Sequence, residues 1–76
     1  MILEANRAAF KADLPGLIEH NRERFVVYCG GKKVAGPHRS EIFIVEAINR
    51  SAQDGRRKYY VIFCVGREGI EKVMLV

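Results

Sequence analysis

Apolar positions recur at helical spacing in the first part of the chain, then change to short strand-like runs. Between Ile2 and Asn21, Leu3, Phe10, Leu14 and Leu17/Ile18 fall near one face of a helix. Ala8 and Ala9 lie beside that stripe, and Arg7 is its polar interruption. The stretch "DLPG" breaks the pattern, because Pro15 lacks an amide proton and clashes in a helix interior. The expectation is a helix, a kink, and a short second helix from Leu14 to His20 capped by Asp13.

Residues 24–36, "RFVVYCGGKKVAG", predict a β-hairpin turning at Gly30-Gly31, where positive φ is needed. Alternation puts Phe25, Val27 and Cys29 on one face and Val26 and Tyr28 on the other. A two-residue turn pairs Cys29 with Lys32, Tyr28 with Lys33, Val27 with Val34, and Val26 with Ala35. The Phe25/Val27/Val34 face is the more apolar and is expected to face the core. Tyr28 and Lys33 then belong to the exposed face.

Ser40 caps a second helix, with Glu41 in its first turn and Ile44, Ile48 and Ala52 as its apolar stripe. Phe43, Val45 and Ala47 flank that stripe, and Gly55 is its stop. Lys58 to Val65 is the strongest strand, apolar on both faces and therefore central. "GREG" turns into a last strand, "IEKVMLV". The order is α-β-β-α-β-β. The expected class is α+β: one single domain over residues 1–76, with a mainly antiparallel four-stranded sheet and helices packed on one face.

Composition narrows what such a domain can do. With 49% hydrophobic residues a core is affordable, and no biased segment points to disorder. Yet a 76-residue chain buries only about 60% of its unfolded surface, which leaves it marginal without a disulfide, a metal or a partner. No apolar run approaches the length of a membrane span, and the N-terminal stretch lacks the pattern of a signal peptide. A cytoplasmic protein is the expectation.

The candidate chemistries are weak. Cys29 and Cys64 lie within strands and read as reduced core thiols, without the spacing of a redox pair. With His20 and His38 they make a poor zinc set. No base is placed beside either thiol, Ser40 is explained as a cap, and the carboxylates are scattered. "CGGKK" lacks the spacing of a phosphate-binding loop. "GPHRS" before a helix is explained by a loop and a cap, although helix N-termini attract anions. The sequence therefore predicts no enzyme, no cofactor, no metal and no small-molecule substrate.

Several of these residues resemble a known family. Asn6, Arg7 and Phe10 match an N-R-x-x-F helix, and Leu14, Pro15 and Leu17 an L-P-x-L continuation. Phe25 to Tyr28 match a G-x-W-V-A-Y-type strand, Gly30 and Gly31 its turn, and Ser40 and Glu41 a Ser/Thr-led helix. This pattern, over about two thirds of the chain, resembles a family of small bacterial and archaeal domains of unknown function, common in planctomycete-like genomes. Glu23 replaces the family's glycine and Phe25 its usual tryptophan. The resemblance implies a small α+β domain without known catalytic residues, a companion of other proteins, aspartyl-protease-like ones among them.

What remains is binding. The apolar "KVMLV" strand favours a protein-interaction or regulatory domain, self-associating or docked on a protein partner through its sheet face or an edge strand. Tyr28, Lys33, Tyr60, Met74 and Leu75 are the candidate contact residues. A net charge of +4 permits a polyanion. The alternative is weak, sequence-tolerant nucleic-acid binding through Arg56, Arg57, Lys58 and Lys32 beside tyrosines.

Overall fold

A computed structural model describes residues 2–51, 53, 55, 57–67 and 71–75. Helix α1 (Ile2–Ile18) leads into the hairpin β1 (Phe25–Cys29) and β2 (Lys32–His38). Helix α2 (Glu41–Ser51), β3 (Tyr59–Cys64) and β4 (Glu71–Leu75) follow. The expected α+β element order is therefore correct. The four strands form one sheet in the order β2-β1-β3-β4, and every neighbouring pair is antiparallel. Ala52, Arg56 and residues 68–70, part of the expected second helix, turn and last strand, lie outside the described residues.

The helices do not share a face. Val26, Tyr28, Val61 and Phe63 pack with Leu17, Phe10 and Leu14 of α1. Val27, Tyr60 and Ile62 point the other way and pack with Ile44 and Ile48 of α2. The result is helix, sheet, helix, with a core on each side. The reason lies in β1 and β3: both are apolar at consecutive positions, so each face needs a cover.

Pro15 does not divide the first helix, which runs from Ile2 to Ile18. The proline ring is exposed, while Leu14, Leu17 and Ile18 pack on the sheet. Packing on both sides of the proline outweighs its lost hydrogen bond. Asp13 caps no helix; its carboxylate Oδ2 accepts a 2.6 Å hydrogen bond from the Tyr28 hydroxyl. The Ser40 cap is as expected, its Oγ accepting from the Ile42 amide at 3.2 Å.

The hairpin keeps the expected Cys29–Lys32 and Tyr28–Lys33 pairs, then departs from the expected register. Val27 lies opposite Ala35, not Val34, and Phe25 lies opposite His38. The first irregularity falls at Val34, between the Tyr28–Lys33 and Val27–Ala35 pairs, and the second at Gly36, where φ is +94° and a Cβ would sit 2.4 Å from the Phe25 carbonyl oxygen. Only glycine lets β2 approach β1 so closely there. The next peptide bond, Gly36–Pro37, is cis.

Besides Asp13, three side chains of α1 tie the helix to the sheet. Asn6, 1% exposed, accepts through Oδ1 from the Gly31 amide at 2.8 Å, which fixes the β1–β2 turn. Arg7 reaches across to Glu71 of β4 in a two-pronged ion pair. The Phe10 ring stacks on Phe63 at a centroid distance of 4.4 Å and meets Tyr28 edge-on at 6.0 Å. Each such aromatic pair contributes about 0.5–1.5 kcal/mol beyond its burial. At the far end, Glu23 donates its amide to the Val65 carbonyl and Val65 donates to Arg24, which lengthens the β1–β3 ladder.

Candidate interaction surface at the open edge of the sheet

The expected contact residues divide sharply. Tyr28 is 0% exposed and Tyr60 1% exposed, so neither lies on an open sheet face. Each is sealed under one helix, because the sheet has no uncovered face over β1 and β3. Met74 is half-buried against the Tyr60 core. Lys33 and Leu75 are exposed. Burial first, then the hydrogen bond to Asp13 and its charge, pushes the Tyr28 hydroxyl above the usual tyrosine range. Tyr28 is thus a structural residue.

With the faces closed, the open places are the two edges, β2 and β4. The β2 edge carries Lys32 and Lys33, two irregularities of register, and Pro37. These are the devices by which sheets avoid edge-to-edge pairing. The β4 edge carries one lysine, Lys72, engaged with Glu41, and has neither a proline nor a break in register. It pairs with β3 through five consecutive residues in unbroken register, from Tyr59–Leu75 to Phe63–Glu71.

Two ion pairs hold the start of β4. Glu71 meets Arg7 of α1, and the next residue, Lys72, meets Glu41 of α2 at 3.7 Å. Since side chains alternate, one bridge lies on each face of the sheet. The hydrogen bond from Arg7 holds the Glu71 carboxyl below the usual carboxylate range, against a smaller desolvation effect. Beyond this clamp, Val73 and Leu75 point to the α1 side beside Val61 and Tyr59. Val73 is 45% exposed, Leu75 47% and Tyr59 44%. They form an apolar strip directly next to unpaired strand backbone.

Comparison with known proteins gives no matching family model, no matching curated protein and no matching solved structure.

The sequence pattern singled out Leu75 but not Val73, and set Tyr59 only beside the basic run. The signal was available: Glu71, Val73 and Leu75 share strand parity, so Val73 had to accompany Leu75. A second exposed apolar group, Ile42, Phe43 and Val45, lies on α2, where Phe43 meets His38 of β2 at a ring-centroid distance of 6.1 Å.

The basic candidates fall at the turn end of the sheet. Arg57 is exposed and Lys58 half-buried. Both line a cleft of about 270 Å³ with Tyr59, the turn residues Cys29 and Gly30, and the start of α1. Lys32 and Lys33 leave the same turn and are exposed. Arg56 lies outside the described residues.

The two thiols are apart. Cys64 pairs with Phe25, and Cys29 is four residues further along β1, a distance of about 13 Å at strand spacing. Burial pushes the Cys64 thiol up. Among the described residues no group of three or more His, Cys, Asp and Glu side chains is placed to hold a metal. No helix among them is long and apolar enough to cross a membrane.

Proposed function

We propose that this chain is a non-catalytic interaction domain that pairs with a second copy of itself through the outer edge of β4. The observation that carries the reading is the contrast between the edges: β2 bears lysines, irregular pairing and a proline, whereas β4 is regular and ends in Val73, Met74 and Leu75. Unpaired strand backbone beside exposed apolar side chains is a template for strand addition.

Self-pairing suits the β4 sequence. An antiparallel pair centred on Val73 sets Val73 against its own copy, Lys72 against Met74, and Glu71 against Leu75. No like charges stand opposite each other, and like charges there would destabilise the pair. The two four-stranded sheets become one of eight strands. A small domain gains stability by burying such an edge.

Sedimentation or light scattering at the highest soluble concentration tests this. The wild type is expected to weigh two chains, and Val73→Lys and Leu75→Lys one chain each. Met74→Lys is the wrong probe, because Met74 packs in the core. A wild-type mass of one chain overturns self-pairing.

A further inference from the structure

We propose that the turn end of the sheet is a binding site for single-stranded nucleic acid, with Tyr59 as the stacking ring and Lys33 and Arg57, on the α1 side with it, as the phosphate contacts. Tyr59 also belongs to the apolar strip beside Leu75, but the outer backbone edge of β4, which carries self-pairing, lies outside this site.

The first observation is convergence. Lys32 and Lys33 open β2, while Arg57 and Lys58 precede β3. β1 lies between these strands, so the two basic segments are separated by two strand spacings, about 10 Å. Described residues far apart in the chain thus bring basic side chains to one end of the sheet. Among the described residues the charged side chains lining the nearby cleft are Arg57 and Lys58. Such an arrangement raises the local concentration of an anion.

The second observation is the ring. Tyr59 lines the cleft and is 44% exposed, unlike Tyr28 and Tyr60, which are sealed in the cores. A half-exposed aromatic ring beside cations is the pairing that holds unstacked bases without reading their sequence. The cleft, at about 270 Å³, is just below the usual size of small-ligand sites, a size that suits a single base.

The third observation is rigidity. The β1–β2 turn beside the cleft is fixed by the Asn6–Gly31 hydrogen bond, and Tyr59 is held by its strand pairing with Leu75. The platform is therefore in place before a ligand arrives, which lowers the ordering cost of binding.

Fluorescence anisotropy with a labelled oligothymidylate of about 12 nucleotides tests the site. With two to three phosphate contacts, raising salt from about 50 to about 200 mM is expected to weaken binding by about 7- to 20-fold. Tyr59→Ala is expected to weaken it by about 5-fold or more at fixed salt, and Tyr59→Phe to restore it. Lys33→Glu and Arg57→Glu each lower affinity and flatten the salt dependence. Thermal melting of each variant establishes that it is folded. No binding at low salt overturns the proposal. So does equal competition by a blunt duplex, or a Tyr59→Ala variant that binds like wild type, since either means charge alone. Binding that persists in Val73→Lys, a variant outside this site, separates the proposal from the reading of β4.

Discussion

The Tyr28 hydroxyl donates to Asp13 Oδ2 at 2.6 Å, so a fully buried strand residue reaches an exposed carboxylate on the helix that covers it. Its ring meets Phe10 and Phe63 edge-on on the way. This contact links the hairpin to α1 through both its apolar ring and its polar tip.

Tyr28→Phe keeps the ring and removes the hydrogen bond, at an expected cost of about 1 kcal/mol, because Asp13 remains solvated. The pH dependence is the sharper test. The folded state raises the Tyr28 pKa, so its contribution is complete below the unfolded pKa and is lost as pH rises above about 10. Urea denaturation across the alkaline range should show wild type losing more stability than Tyr28→Phe. Parallel curves for the two proteins would contradict the assignment.

Two glycines should respond oppositely to alanine. At Gly36, φ is +94° and the added Cβ would meet the Phe25 carbonyl oxygen at 2.4 Å, so Gly36→Ala should cost about 2–4 kcal/mol or prevent folding. Gly16 lies within α1 with nothing within 4 Å of an added Cβ. Gly16→Ala should stabilise by up to about 1 kcal/mol. Denaturation midpoints check both signs.

The Arg7–Glu71 pair predicts an acid-side effect. The Glu71 carboxyl is depressed in the folded state, so its contribution is present above the unfolded pKa and is lost as pH falls through the folded one. Wild type should exceed Glu71→Gln in melting temperature near neutrality. The difference should shrink between about pH 5 and pH 3. A difference that holds constant over that range would mean the carboxylate's charge is not involved.

The proposed β4 pairing also has a chemical signature. Facing Val73 positions would have Cα atoms about 4.5–5.5 Å apart, within disulfide range. Val73→Cys should crosslink two chains under mild oxidation, and Arg57→Cys, at the exposed turn end, should not. A Val73→Cys protein that remains single-chain on a non-reducing gel would exclude a pair centred there.

Much of the architecture was legible in local pattern. Gly30-Gly31 marked the turn, Ser40 the cap, and the unbroken apolar run of β3 its central place. The same run implied two covered faces, since Val61 and Ile62 cannot both point to one helix; treating one face as open misplaced Tyr28 and Tyr60. Pro15 misled because its penalty is local, while the packing of Leu14, Leu17 and Ile18 is tertiary. Gly36 was opaque for a similar reason: it is required by the approach of Phe25, eleven residues earlier in the chain. The cleft at Tyr59 depends on strand order, which no local pattern states.

The two bridges at the head of β4 have a further consequence. Slide β4 one residue in one direction and Lys72 arrives opposite Arg7. Slide it in the other and Glu71 arrives opposite Glu41. Either error replaces an attraction with a repulsion and turns the Val73/Leu75 row to the opposite face. The adjacent acid and base thus act as a two-letter checksum on the alignment of the last strand, read by one helix on each side of the sheet.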